Sequence, residues 1–293
     1  MTKICVLGGS GLIGSSILSD NYPSKKICYT FRKNMINTKS NSLQFDIQKD
    51  FKKLKEFIVI EEPDVIINTI SNSNPDYCEM NQKETLDINV DFVNKLFELT
   101  KNNKNIRLIQ FSTDYVFDGS KGKYIETDIP EPINYYGYTK YLSEKIVLKD
   151  SLNVVIRTSL VYGKNPNSKF FNFIFNNLKE GKKIDVYDDI FFSPTLVDNI
   201  STAVYKILEK SLNGIFHISG PDCISKYEFA QKIADAFDFD KDLIHPTSIK
   251  GIKSKMKYPQ KTCLDSSFTS TKIKQEFYSI EKSLKYIKNL MEK

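Results

Sequence analysis

Short apolar runs alternate with segments of helical spacing through the first half of the chain. Strand-length runs fall at residues 3–7, 26–30, 43–45, 65–68, 107–111 and 154–157. Between them, residues 12–18, 51–60, 87–100 and 136–148 carry apolar positions three and four apart, the period of one helix face. In 87–100 that face is Ile88, Phe92, Leu96 and Leu99; the 51–60 helix stops before Pro63, which cannot continue it. The 65–68 run, Val-Ile-Ile-Asn, is apolar without alternation, as a strand covered on both faces requires. This alternation predicts an α/β fold, a Rossmann-type doubly wound parallel sheet. After Gly163 the rhythm changes. Helices are predicted at 170–178, 196–208, 227–237 and 280–291, with one strand at 215–218. Residues 1–163 are read as a dinucleotide-binding domain. Residues 164–293 are read as mainly a smaller C-terminal α/β substrate lobe, with some segments returning to the sheet.

The first strand runs straight into Gly8-Gly9-Ser10-Gly11-Leu12-Ile13-Gly14. Strand, glycine turn and helix in that order suit a pyrophosphate, because glycines let backbone approach it and the helix N-terminus presents amides to it. An NAD site usually carries an acid about 20 residues further on, against the ribose hydroxyl. Here the second strand ends Tyr29-Thr30-Phe31-Arg32-Lys33. Arg32 can pair with a 2′-phosphate where an acid would repel it, so NADPH is expected over NADH. An acid after the third strand, Asp46, could bond the adenine amino group. Thr69, Ile70 and Ser71 follow the fourth strand at the edge where such sheets bind ligands.

Tyr136 and Lys140 stand four apart at the start of a helical pattern, so phenol and ammonium share a face. A cation beside a phenol favours its ionised form, which would make Tyr136 a usable acid near neutrality. That is what protonating a carbonyl oxygen during hydride transfer needs. Upstream, the fifth strand leads into Ser112-Thr113-Asp114-Tyr115, hydroxyls placed to bond a substrate oxygen.

Composition narrows the alternatives. The net charge of +6 over 293 residues is spread without a basic block, which speaks against nucleic acid as a partner. No apolar run approaches the roughly 20 residues of a membrane span. The five cysteines form no C-x-x-C pair, and we read neither a disulfide framework nor a zinc site, hence a soluble, cytoplasmic protein. His217 lies in an apolar run and is expected as a hydrogen-bonded core residue. No histidine pair has metal-ligand spacing and no G-x-S-x-G elbow occurs, against metal or serine hydrolysis.

Taken together the chain resembles an extended short-chain dehydrogenase/reductase, and more narrowly the dTDP-4-dehydrorhamnose reductase family. The likeness rests on residues 8–14 and 63–68, on Ser-Thr-Asp-Tyr-Val-Phe-Asp-Gly at 112–119, on 126–128 and 132–134, on Tyr-Gly-Tyr-Thr-Lys at 136–140, on Arg157-Thr158-Ser159, on Pro194-Thr195 and on 259–265. The resemblance implies Tyr136 as proton donor. Lys140 would bond the nicotinamide ribose and lower the tyrosine pKa, Thr113 would bond the substrate carbonyl, and Asp114 would contact the sugar. It implies that Gly8, Ser10, Gly11, Leu12, Ile13, Gly14, Arg32, Asp46 and Ile47 meet the adenosine and phosphate end of NADPH. Thr69, Ile70, Ser71, Phe111, Tyr136 and Lys140 would meet its middle and nicotinamide end. The substrate would be a nucleotide-linked 4-keto-6-deoxy sugar, and a homodimer is compatible with this reading. Two departures bear on the sugar. Leu160 stands where the rhamnose enzymes carry a tryptophan against it, and Tyr258-Pro259 replaces their Arg-Pro. Two alternatives stand beside the reductase: a sugar-nucleotide epimerase or dehydratase, and an NADP-binding regulatory subunit similar to the methionine adenosyltransferase β-subunits.

Overall fold

Apolar runs without alternation become the centre of a sheet that is covered on both faces. A computed structural model describes residues 2–19, 26–103, 106–251 and 256–292. Its main sheet has seven parallel strands: β1 (Lys3–Leu7), β2 (Lys26–Phe31), β3 (Asn41–Gln44), β4 (Val65–Asn68), β5 (Arg107–Thr113), β6 (Val154–Thr158) and β7 (Gly214–His217). The spatial order is β7-β6-β5-β4-β1-β2-β3. The chain winds outward from β1 in one direction and from β4 in the other. The gap beyond the carboxyl ends of β1 and β4 is therefore the switch point where ligands bind in such sheets.

Side-chain alternation sorts each strand between two cores. Ile4, Val6, Ile67, Ile109 and Ile156 point to one face, where Ile17 of helix Leu12–Ser19 and Ile200, Val204 and Ile207 of helix Val197–Glu209 cover them. Cys5, Leu7, Ile66, Leu108 and Val155 point to the other, beneath Leu54, Ile58, Phe92, Leu96 and Val147. A third core holds the later segments. Phe171, Ile174, Phe229, Ile233, Ile280 and Leu284 bring helices Lys169–Lys179, Lys226–Phe237 and Ile280–Met291 together. Strand Ile184–Tyr187 lies parallel to Ile244–Thr247, and Phe191–Phe192 antiparallel to Ile224–Ser225. Among the described residues, no helix is long and apolar enough to cross a membrane.

Three expectations are corrected. The single helix at 87–100 is instead Gln82–Leu86, a π-helical turn Asp87–Asp91 and helix Phe92–Asn102. The wider turn rotates the register, so Asn89 is buried where the helical period put Ile88 inward, and Ile88 is half-exposed. The third strand begins two residues early, at Asn41, because it pairs with β2 from Cys28 onward. Finally, Cys223 and Cys263 form a disulfide across a Cα separation of 5.5 Å. The lobe brings together residues 40 apart in sequence, which no C-x-x-C spacing could announce. Cys5 and Cys28 do lie in the core, as neighbours in register across β1 and β2.

Candidate active site

Strand β5 delivers Thr113 to the carboxyl edge of the sheet. Its hydroxyl accepts the Tyr115 N–H at 3.2 Å, capping a short turn at Asp114–Val116, and donates to Asp114 Oδ1 at 3.0 Å. Helix Tyr135–Val147 begins above this turn, with Asn134 as N-cap accepting the Gly137 N–H at 2.9 Å. Gly137 makes the approach possible: a Cβ there would lie 2.0 Å from the Tyr115 carbonyl oxygen. The contact seats Tyr136 beside Tyr115, ring centroids 5.9 Å apart and edge to face, with the Thr113 hydroxyl close to its phenol. One turn on, the buried Lys140 donates from Nζ to the Phe111 carbonyl at 2.6 Å. Thr113, Asp114, Tyr136 and Lys140 thus converge at one edge.

The electrostatics differ from the expected depression of the phenol. Burial pushes the Tyr136 phenol well above its ordinary value, against the Thr113 hydrogen bond. Burial also holds the Lys140 ammonium down to about 8, with the Glu144 carboxylate pulling it back up. Both groups lie 9 % exposed or less, and desolvation disfavours each charged form. Asp114 is likewise pushed up by burial, while three hydroxyl donors pull the other way: Thr113, Ser159 at 2.8 Å and Thr262 at 2.5 Å.

The glycine loop forms the other wall. Gly8 has φ +81°, and a Cβ there would meet Thr69 Oγ1 at 2.8 Å. Thr69 in turn donates to the Leu7 carbonyl at 2.7 Å, tying the end of β4 to the loop. Gly14 admits the helix against the loop, since a Cβ would stand 2.3 Å from the Gly8 carbonyl. At Gly11, among the described residues and its chain neighbours aside, only that carbonyl, at 3.3 Å, lies within 4 Å of a would-be Cβ. Open space over loop backbone at a helix start is what a pyrophosphate requires, so the residues present fit a dinucleotide. Ser10 is clasped from the second half, its carbonyl accepting from Asn167 at 3.0 Å. Ile13 packs into the first core; Leu12 is half-buried.

At the adenosine side, the Arg32 side chain is 70 % exposed and its Nε stands 3.7 Å from Asp46 Oδ2. Asp46 Oδ1 accepts the Gln48 N–H at 3.0 Å, so this acid is partly committed to its own turn. Ile47 and Ile70 pack at the edge of the second core. Ser71 Oγ donates to Asn89 Oδ1 at 3.2 Å, and Asn89 Nδ2 bonds Thr139 at 3.1 Å. The π-helical turn therefore hinges the loop after β4 to the Tyr136 helix. Leu160 packs against the lobe core, its carbonyl accepting the Thr195 N–H at 2.9 Å.

Behind the site, Arg157 and Glu144 form a buried pair, Nη2 to Oε2 2.8 Å and Nε to Oε1 3.0 Å, with side chains 2 % and 1 % exposed. Ser112 Oγ donates to the same carboxylate at 2.5 Å. His217 is a core residue: Nδ1 lies 3.0 Å from the Tyr124 carbonyl, and burial beside Arg157 lowers its pKa to about 3. Sequence reasoning missed Glu144, Asn89 and Thr262 as supports. Glu144 stood four residues past Lys140, and Asn89 broke an apolar face; Thr262 had no local signal.

The family model for the RmlD substrate binding domain matches residues 1–292. A dTDP-4-dehydrorhamnose reductase of Aggregatibacter actinomycetemcomitans is 31% identical over 94% of each chain. The methionine adenosyltransferase 2 subunit beta of Bos taurus is 28% identical over 92% of this chain and 82% of its own. The solved structure of a hypothetical dTDP-4-dehydrorhamnose reductase from Sulfolobus tokodaii superposes with TM-score 0.84 at 30% identity, covering 95% of this chain and 97% of its own. With the glycine loop, the Tyr136–Lys140 pair and the full-length match on one sheet, this chain belongs to the RmlD substrate binding domain family, among the extended short-chain dehydrogenase/reductases.

Proposed function

We propose that this chain is an NADPH-dependent reductase that converts the C4 ketone of a nucleotide-linked 4-keto-6-deoxy sugar to the hydroxyl. The observation that carries the reading is the convergence of Thr113, Asp114, Tyr136 and Lys140 beside the glycine loop. When bound, NADPH supplies the hydride. Loop residues Gly8, Ser10, Gly11, Leu12, Ile13 and Gly14 hold its phosphates, Arg32 pairs with the 2′-phosphate, and Asp46 and Ile47 border the adenine. Thr69, Ile70, Ser71 and Phe111 line the path to the nicotinamide. The Thr113 hydroxyl bonds the ketone oxygen, and the Tyr136 phenol gives that oxygen its proton. Lys140 holds a ribose hydroxyl, and Asp114 and Leu160 border the sugar.

The relative Bos taurus subunit supports a second reading, an NADP-binding regulatory subunit. The complete Thr113, Tyr136 and Lys140 set counts against it. NADPH absorbance followed with a dTDP-4-keto-6-deoxy sugar separates the two. Sugar-dependent loss of absorbance is the expected result. NADPH binding without turnover on dTDP- or UDP-linked 4-keto sugars would overturn the reductase reading.

A further inference from the structure

Lys226 opens helix Lys226–Phe237 directly after its N-cap Ser225. Its ammonium stands over two rings, 5.7 Å from the Phe170 centroid and 5.6 Å from Tyr187. Its N–H is fixed to the Ile190 carbonyl at 3.0 Å, so the backbone beneath it is pinned. Thr262 links this backbone to the site: its hydroxyl donates to Asp114 Oδ2 at 2.5 Å and lies 3.5 Å from the carbonyl of Phe191, the residue after Ile190. Burial depresses the Lys226 pKa, and the carboxylates of Asp114 and Asp76 act against that. Yet both are engaged elsewhere. Asp114 accepts from Thr113, Ser159 and Thr262, and Asp76 accepts the Tyr258 phenol at 2.7 and 2.6 Å. Among the described residues, no carboxylate lies within ion-pair distance of Lys226 Nζ. A half-buried ammonium close to the Asp114 edge of the site, with Asp114 and Asp76 already bonded, is arranged to receive an anion from outside the chain.

We propose that Lys226 receives the diphosphate of the nucleotide-linked sugar while the sugar lies at Asp114 and Thr113. This rests on the reductase reading and adds to it the residue that makes the site select a sugar carrying a diphosphate over the bare sugar. The Phe170 and Tyr187 rings flank the ammonium itself, which sets its position before the ligand arrives.

Lys226→Met keeps an unbranched stem and removes the charge; Lys226→Arg restores it. With NADPH present, calorimetric titration uses dTDP, inorganic pyrophosphate and thymidine as probes. A hydrogen bond between charged groups implies that Lys226→Met weakens dTDP and pyrophosphate by about ten- to a hundredfold. Lys226→Arg should recover most of this, and affinities for thymidine and NADPH should not move. In turnover, KM for the sugar nucleotide rises while kcat stays. Equal dTDP affinity in wild type and Lys226→Met overturns the proposal, as does absence of dTDP and pyrophosphate binding to wild type. Loss of NADPH affinity would mark Lys226 as structural and also overturns it. Diphosphate binding that depends on Lys226, without sugar-dependent NADPH consumption, would leave this inference standing and sink the reductase reading instead.

Discussion

Thr262→Val removes one hydroxyl and keeps the β-branched shape. The bond lost is the 2.5 Å donation to Asp114 Oδ2, and Ser159 and Thr113 remain. A hydrogen bond to a charged group contributes about 1.5–3 kcal/mol, and one between neutral groups about 0.5–1.5 kcal/mol. The loss should therefore depend on the protonation of Asp114. Burial holds that carboxyl above its ordinary value, so its folded pKa exceeds the unfolded one. Such a group contributes stability below the unfolded pKa and loses it as pH rises through the folded pKa. Without Thr262 the folded pKa moves up further, so the loss begins at the same unfolded value, runs to higher pH and is larger. Urea denaturation of both proteins across pH should show a gap of about 1.5–3 kcal/mol above the Asp114 titration. Below it, the gap should shrink to about 0.5–1.5 kcal/mol. A gap independent of pH would refute the reasoning, since it would mean that Thr262 bonds something other than a titrating carboxylate.

Four further outcomes follow. Tyr136→Phe keeps the ring against Tyr115 and deletes the proton, so kcat should fall by about two to four orders of magnitude with NADPH affinity intact by fluorescence titration. Arg32→Ala should raise KM for NADPH by about ten- to a hundredfold and leave NADH unchanged, read from the two kcat/KM values. Arg157→Met leaves the Glu144 carboxylate buried alone and should cost about 3–5 kcal/mol in urea denaturation, most of it recovered in Arg157→Met/Glu144→Leu. Lys140, held down to about 8, is a depressed lysine: its contribution to stability is present above its unfolded value and lost as pH falls through about 8. On the proposed mechanism, in which Lys140 acts as the ammonium, reduction should have the opposite slope and lose rate above pH about 8, read from kcat against pH.

What the sequence disclosed was local. Strands 3–7 and 65–68, the glycine loop and the four-residue step from Tyr136 to Lys140 are each written within a few neighbouring positions, and β1, β4 and the Tyr136 helix form where that pattern lies. What it hid joins distant segments. Asp114 meets Thr262 across 148 residues and Ser159 across 45, and Cys223 meets Cys263 across 40. The π-helical turn stayed hidden for another reason: one inserted backbone step leaves composition unchanged, and only the reversal of Ile88 and Asn89 reveals it. Arg32 was legible as a cation in the right place, but its Asp46 neighbour was not, because the two lie on different strand ends.

The raised phenol bears on the direction of the chemistry. Spacing alone suggested that Lys140 would ionise Tyr136, yet Lys140 Nζ donates to the Phe111 carbonyl and burial dominates the phenol. For a reduction this is the useful arrangement. The donor must still hold its proton when the ketone oxygen begins to gain charge, and a desolvated phenol is protonated throughout the neutral range. The cost of ionising it falls only as a neighbouring charge is completed. One Lys140 proton is spent on Phe111; in the proposed mechanism the other two are left for a ribose hydroxyl, which would extend the positive field towards the phenol. The reverse reaction needs the phenolate at the start, which this site disfavours. A pair that looks symmetric in sequence, one acid and one base four residues apart, is thus held by burial with its phenol protonated at rest, the state from which the proposed reduction starts.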